Sequence, residues 1–368
     1  MRGEQQPQEI FFAYVSPETT IPANHPIRQI RRVANQVLSE LSKDFDAMYS
    51  VGGRPSIPPE ALLKGSLLMA LYSISSERLF CEQLGYNLLF KYFLNQGLND
   101  QPFDHSCFSK NRNRLLEYEI GRKFFQRVLA MIKRDGLVSD EHFTVDGTLI
   151  EAWASMKSFK PKDKNHNGTG DGSKNPTVDF RNEKRSNETH QSTTDPEARL
   201  LRKANGQQAK LCHALHLVSE NRNGFVTNLR YTVAVGTTES DQAVAMIKEL
   251  KRRGFKPKTV GADKGYHNQT FVGGLRKLKV KPHVACKRNT VVAGIDGRTV
   301  RHWTFQVSQR KRKLIEQIFG WLKTRAVSRK TNLIGTTKNL LSMQLKAAVY
   351  NIIRFVRLKT LSPLPIGA

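Results

Sequence analysis

Three acids in this chain stand where carboxylates are least expected. Asp146 lies in "FTVDGTLIEAW" (143–153), an apolar, β-branched run in which a core residue would normally sit. Asp263 ends a second apolar run in "VGADKGY", where Gly265 allows a sharp turn. Glu316 lies in "SQRKRKLIEQIFGWLK", a basic helical stretch. A buried carboxylate is costly unless it is hydrogen-bonded, paired or bound to metal. For Asp146 the simplest alternative is a turn aspartate at a strand end. If the three converge, they form a hard-oxygen site suited to Mg²⁺ or Mn²⁺. Two such ions about 3.5–4 Å apart can activate a nucleophile and stabilise the leaving oxygen in phosphoryl transfer.

The helix around Glu316 carries further candidates. Arg312 lies four residues before it and Lys323 seven after, so all three share one face. That face is either a solvated salt-bridge stripe or a carboxylate on metal flanked by two phosphate-gripping cations.

The elements that must position these residues follow from periodicity. "HPIRQIRRVANQVLSELSKDF" puts Ile27, Ile30, Val33, Val37, Leu38 and Leu41 at helical spacing. "IPPEALLKGSLLMALYSI" begins a helix after prolines, and "SSERLFCEQLGYNLLFKYFL" continues the pattern. "FDHSCFSKNRNRLLEYEIGRKFFQRVLAMIKRDG" supplies two more helices, with Asp104 or Ser106 as caps. From residue 142 strands appear. "HFTVDGTLIEAW" is one; "AKLCHALHLVSENRNGFVTNLRYTVAV" gives two joined at "ENRNG". Helix "TESDQAVAMIKELKRRG", strand "KTVGAD", helix "NQTFVGGLRKLK", strand "VKPHVAC" and the Glu316 helix follow, and "NLLSMQLKAAVYNIIRFVRLK" closes the chain. The expected fold is α/β with a mixed sheet in the order β-β-β-α-β-α-β-α, preceded by an all-α region. In that order the strands that Asp146 and Asp263 end lie side by side, so both carboxylates would emerge at the same end of the sheet. We place the helical domain at 1–137 and the α/β domain at 138–360, with a tail at 361–368. A polar insertion at about 157–207, opening on "KSFKPKDKNHNGTGDGSKNPTVDF", reads as a mobile loop.

Composition narrows the chemistry. Among 368 residues, 59 Lys and Arg face 32 Asp and Glu, a formal net charge of +27. So large an excess implies a polyanionic partner, nucleic acid ahead of anionic membrane. No apolar stretch is long enough to span a bilayer, and the first residues lack the pattern of a secretory signal. Cys81, Cys107, Cys212 and Cys286 are scattered without a CxxC pair, as expected of reduced thiols in the cytoplasm. A basic protein with metal-binding acids is the combination expected of an enzyme that cuts a DNA backbone.

The motifs "TVDGTLIEAWAS", "VGADKGY" and "SQRKRKLIEQIFGWLK" resemble the three acid-bearing motifs of bacterial insertion-sequence transposases, the DDE type with an RNase H-like core. "KRSNETHQSTTDPEARLLRK", "ENRNGFV" and "IDGRTVRH" resemble segments of that family's InsH-like branch, so the likeness covers nearly the whole chain. The resemblance implies that Asp146, Asp263 and Glu316 are the catalytic, metal-binding triad, with Mg²⁺ or Mn²⁺, two ions, as cofactor. It assigns Arg312 and Lys323 to a signature that relatives write as Tyr, Arg, Glu, Lys. Gln309 stands at the Tyr position, able to hydrogen-bond a phosphate but not to stack on a base. It further implies double-stranded DNA as partner, at element ends and target, a homodimer in the DNA complex, and a bacterial cytoplasmic location. The rivals are a nuclease or resolvase using the same metal chemistry, and a DNA-binding protein that has lost catalysis.

Other residues have weaker signals. "HSCFSKNRNRLL" offers Lys110, Asn111, Arg112 and Arg114 as a DNA-recognition helix, or as the basic face of an ordinary amphipathic one. Trp153, Trp303 and Trp321 could stack on an extruded base, although core packing is the expectation for each. His213, His216 and His267 lack metal-site spacing and read as structural, and Asp195 in "STTDPEARL" either approaches the site or caps a turn.

The charge yields a first testable expectation. Binding to element-end duplexes should weaken on the order of 10³-fold between 50 and 200 mM salt, because many phosphates release counterions. A filter-binding series showing flat affinity across that range would refute a phosphate-dominated interface.

Overall fold

Prolines and polar caps set where the helices of the first third begin. The computed structural model describes residues 15–361 apart from 51, 54, 163–178, 181–182, 203–206, 236–237, 287–291, 293–294 and 302. Eight helices come first: α1 (Pro17–Thr20), α2 (Pro26–Ser39), α3 (Ser42–Asp46), α4 (Pro59–Leu71), α5 (Glu77–Tyr86), α6 (Leu88–Leu94), α7 (Ser106–Glu117) and α8 (Ile120–Arg134). Pro26 and Pro59 occupy first-turn positions, where a missing N–H costs nothing. The six apolar residues expected on one face of α2 and its extension, Ile27 through Leu41, are all buried. The stretch 76–94 is two helices, not one. Asn87 leaves helical geometry at ψ 106, and its side chain accepts the N–H groups of Leu89 and Phe90, which starts α6. Asp104 accepts the Ser106 N–H at 2.8 Å at the start of α7.

The α/β part follows the expected order. Its main strands and helices are β1 (His142–Glu151), β7 (Lys210–Glu220), β8 (Val226–Val233), α9 (Thr238–Arg252), β9 (Thr259–Ala262), α10 (Gln269–Lys277), β10 (Lys281–Val284), α11 (Trp303–Thr324) and α12 (Thr336–Leu361). Between β1 and β7 lie short strands β2 (Phe159–Pro161), β3 (Asp179–Phe180), β4 (Glu183–Lys184), β5 (His190–Ser192) and β6 (Arg199–Leu201). The sheet runs β10-β9-β1-β7, with β8 and β6 sharing the far edge of β7. β1, β9 and β10 are parallel, whereas β7 is antiparallel to β1. This is the RNase H-like mixed sheet. The hairpin between β7 and β8 turns on Glu220, fully buried, whose carboxylate accepts the N–H groups of Arg222, Asn223 and Phe225. Gly224 supplies the positive φ of +71°.

The insertion is more ordered at its flanks than a polar loop would be. β2 pairs with β5, and β6 with β7, around a small apolar cluster that includes Ala152, Phe159, Leu200 and Leu211. Residues 163–178 and 203–206, and the tail at 362–368, lie outside the described residues.

Helix α12 joins the two halves. It packs on α2, α4, α7 and α8 and also on β8, and one hydrophobic core runs through all of them. Asn351, fully buried, completes the strand edge: it accepts the Val226 N–H at 2.9 Å and donates to the Val226 carbonyl at 2.8 Å. Among the described residues no helix is long and apolar enough to cross a membrane.

Asn351→Ala would leave both Val226 main-chain groups buried and unpaired. The expected cost is about 2 kcal/mol, read as a lower unfolding midpoint in urea. An unchanged midpoint would show that this clamp is not holding the edge.

Candidate active site

Parallel pairing brings two of the acids together. β1 and β9 pair at His142↔Thr259, Phe143↔Val260 and Thr144↔Gly261, and there the ladder stops. Asp146 lies two residues past Thr144, and Asp263 two past Gly261, so the register sets them side by side. Parallel strands stand about 4.8 Å apart. Asp146 does not end its strand, as the sequence implied. β7 continues to pair with β1 as far as Glu151↔Cys212, so Asp146 sits mid-strand at an edge that β9 has vacated.

Glycines shape both carboxylates. Asp146 Oδ1 accepts the N–H of Gly147 at 2.8 Å, and Asp263 Oδ1 accepts that of Gly265 at 2.8 Å. A Cβ at position 265 would stand 2.9 Å from Asp263 Oδ1, so a larger residue there would displace the carboxylate from this position. Burial pushes the Asp146 pKa up from 3.8 to about 6; the Gly147 N–H and Arg312 oppose the rise, while the Asp263 and Glu239 carboxylates add to it.

Helix α11 lies across these strands. Its Gln309 amide donates to the carbonyls of His283 (3.0 Å) and Ala262 (3.3 Å), the latter adjacent to Asp263. Gln309 therefore pins the helix to the ends of β9 and β10; its amide nitrogen is engaged with the protein's own backbone, not presented to a phosphate. Ser308 bonds His283 Nδ1 at 2.6 Å, and Gly261 admits the Ser308 backbone beside β9. At the other end Lys323 donates to Thr148 Oγ1 at 2.5 Å, on the same face of β1 as Asp146.

Glu316 does not join the aspartates in this arrangement. Its Oε1 is 3.6 Å from Arg312 NH1, and its side chain is 59% exposed against 22% for Arg312. Among the described residues no three His, Cys, Asp or Glu side chains gather closely enough to hold a metal ion. Like charges repel, and Arg312 draws Glu316 away. The Arg312 Nε is buried without a hydrogen-bond partner.

The remaining candidates sort by environment. Lys110 is exposed. Arg112 is ion-paired with Glu77, Arg114 lies 4.6 Å from the Tyr49 ring centre, and Asn111 is buried with its amide on the Cys107 carbonyl. Of the four, Lys110 alone is exposed, while Asn111, Arg112 and Arg114 are engaged by the protein itself in this structure. Trp321 packs on Tyr350, but Trp153 (52% exposed) and Trp303 (75%) are surface residues, contrary to core packing. Asp195 and His213 form a fully buried pair at 3.0 Å, with Asp195 also accepting the Glu197 N–H. His216 and His267 are buried, and burial lowers the His216 pKa to about 4. Two residues escaped the sequence reading. Glu239 opens α9, where it reads only as a helix-start acid, and burial followed by the Asp263 carboxylate raises its pKa. Tyr266, the last residue of "ADKGY", is buried near Glu239, Asp146 and Asp263, and burial raises its pKa most.

Two family profiles match the chain: "Transposase domain (DUF772)" over residues 15–114 and "Transposase DDE domain" over residues 186–352. The chain belongs to the DDE transposases. The DDE match contains Asp263 and Glu316, while Asp146 falls between the two matched segments. No curated protein matches the transposase significantly. Among solved structures it is similar to the piggyBac transposase in a synaptic complex with hairpin DNA, at 8% identity over 96% of this chain and 77% of that one, with a TM-score of 0.42. The Mos1 transposase paired-end complex gives 11% identity over 83% and 82% of the two chains, with a TM-score of 0.19. A chain of the simian T-cell lymphotropic virus intasome complex with PP2A regulatory subunit B56 gamma gives 14% identity and a TM-score of 0.28. That match covers 57% of the transposase and about half (48%) of the other chain.

The raised Asp146 pKa has a consequence for stability without metal. The protonated carboxyl's contribution is complete below the unfolded pKa near 3.8 and is lost as pH rises through about 6. In chelator-treated protein at pH 8, Asp146→Asn should therefore be more stable than wild type by on the order of 2 kcal/mol, a rise of several degrees in Tm. The gap should close below pH 4. Equal melting temperatures at pH 8 would place Asp146 in a more solvated setting.

Proposed function

We propose that the transposase binds the ends of its element as double-stranded DNA, hydrolyses a phosphodiester bond there, and joins the freed 3′-hydroxyl to target DNA. The observation that carries this reading is the Asp146–Asp263 pair, set side by side by the β1–β9 register at an open strand edge. The donor set fits a hard divalent cation. Each aspartate commits Oδ1 to a backbone N–H, and Oδ2 takes no hydrogen bond among the described residues. Positive charge between them would also offset the burial and the Asp263 repulsion that raise the Asp146 pKa. Asp146, Asp263 and Glu316 would hold Mg²⁺ or Mn²⁺, two ions, with Glu316 released from Arg312. Such ions lower the pKa of an attacking water or hydroxyl and neutralise charge on the leaving oxygen.

The chain's own residues supply the rest. Arg312, freed of Glu316, presents a guanidinium with an unpartnered Nε beside Asp146, suited to a phosphate oxygen. Lys323, on the Thr148 hydroxyl, stands along the same strand face as a second phosphate contact. Lys110, exposed on α7, is the member of the helical region's basic trio placed to meet backbone phosphates. A chain of charge +27 suits a partner with one negative charge per phosphate. The piggyBac and Mos1 structures are synaptic and paired-end complexes. By the same logic two copies of this transposase would hold two element ends together.

Glu316→Gln keeps size and hydrogen bonding but removes the charge that ligates a hard cation. The variant is expected to bind end DNA with near wild-type affinity in a gel shift, yet to lose cleavage in Mg²⁺ by several orders of magnitude. Arg312→Ala should show the opposite emphasis: weaker binding, with activity partly recovered at high protein concentration. Normal cutting by Glu316→Gln would remove Glu316 from the site. Strand-transfer products on supercoiled DNA separate a transposase from a nuclease with the same chemistry.

A further inference from the structure

The residue after Asp146 has no side chain, and two polar groups use the space. Gly147 stands opposite His216 on β7. A Cβ at Gly147 would lie 3.3 Å from Glu239 Oε1 and 3.4 Å from His216 Nδ1. Glu239 comes from the first turn of α9, an element that packs on β1, β7 and β8. Its carboxylate has no ion pair or hydrogen bond to a described residue.

His216 supplies an independent sign that this spot holds something. The residue is 1% exposed; its Nε2 is 3.0 Å from Thr232 Oγ1, and its Nδ1 is buried with no partner. An unpaired ring nitrogen in the interior is costly unless a partner arrives. With the Thr232 hydroxyl donating to Nε2, Nδ1 carries the ring hydrogen; it borders the same gap above Gly147 as Glu239 Oε1 without bonding it.

We propose that Glu239 is a fourth carboxylate of the Asp146–Asp263 centre, admitted across Gly147, with the unpartnered Nδ1–H of His216 beside that gap placed to orient it once a cation binds. The inference rests on the reading of that centre as a divalent-cation site. Glu239 is within electrostatic reach of both aspartates, and buried Tyr266 is within reach of all three acids. Glu239 would extend the centre on the face of β1 opposite Asp146 and Thr148, and so opposite α11. Its oxygen is a hard donor like theirs, and His216 sets its direction as an outer partner sets that of a ligating carboxylate.

The probe is Mn²⁺, bound to the full-length chain and followed by electron paramagnetic resonance of the free ion. Glu239→Gln should raise the Mn²⁺ Kd by roughly tenfold or more. Gly147→Ala, whose methyl would occupy the gap, should do the same, with folding checked by circular dichroism. His216→Asn, which returns an amide N–H near the Nδ1 position, should stay closer to wild type than His216→Leu. The Mg²⁺ needed for half-maximal end cleavage should rise in parallel for Glu239→Gln. If Glu239 served only the positive end of α9, its substitution would lower Tm and leave Mn²⁺ affinity unchanged, and the inference would be overturned. Asp263→Asn distinguishes the two levels. Loss of Mn²⁺ there with wild-type binding by Glu239→Gln overturns the fourth ligand alone; undiminished binding by Asp263→Asn overturns the cation site beneath it.

Discussion

A three-residue parallel ladder governs the active end of this protein. Because β9 pairs with β1 only from Thr259 to Gly261, the next alternate residue on each strand meets its counterpart at an edge no longer filled by backbone. Two carboxylates there repel, and each would be more stable in water. The fold tolerates them because β1 is fixed along its whole length by β7, so it cannot shift to separate the charges. Two backbone N–H groups and the Arg312 guanidinium offset part of the cost. Rigid elements hold a ligand set more accurately than loops do, and here the rigidity also keeps the acids from relaxing apart.

The third acid is held by different means. Glu316 rides on α11, which Gln309 and Ser308 fasten to the ends of β9 and β10, and Lys323 fastens to β1. Those clamps set the helix, not the Glu316 side chain. A glutamate has three rotatable bonds, so a fixed helix still leaves its carboxylate free to choose between Arg312 and the aspartates. Choosing Arg312 costs the exposed pair little, since a half-exposed ion pair is weak. On the proposed reading, a Glu316 that turned from Arg312 to the aspartates would complete the triad and leave Arg312 without its ion-pair partner. α12 extends this economy to the rest of the chain, since the helix that seals β8 also packs on α2, α4, α7 and α8.

What was legible in the sequence was what depends on local pattern. Strand and helix order followed from periodicity, and the adjacency of the Asp146 and Asp263 strands followed from the order of elements. Asp146 looked like a strand terminus because Gly147 resembles a turn signal; the antiparallel partner β7, distant in sequence, carries the strand onward. Asn87 hid inside an unbroken apolar pattern because a cap changes backbone direction without changing hydrophobicity. Gln309 looked like a phosphate ligand by position in a motif, yet a primary amide is also the natural bridge between two strand-end carbonyls. The basic helix α7 shows the same limit: a guanidinium can meet a phosphate, a glutamate or a tyrosine face, and only tertiary contacts say which. The placing of Glu239 and His216 beside one gap was invisible because it depends on the space above a glycine in another strand.

Charge balance explains why the aspartates stand out once the structure is known. With 59 Lys and Arg for 32 Asp and Glu, an acid in this chain has cations to spare. Several acids elsewhere have taken one: Glu18 with Arg28, Glu77 with Arg112, Glu141 with Lys258, Glu151 with Lys210 and Asp135 with Lys359. Asp146 and Asp263 have no such ion pair among the described residues, although Arg312 is close enough to be felt. Folding alone would favour closing a salt bridge there, or replacing an aspartate with an apolar residue of the strand. A pair of carboxylates kept unpaired in a sea of lysine and arginine withholds stability that the chain could easily have gained. That withheld stability is available to whatever positive charge binds between them, and binding of that charge then stabilises the fold in proportion.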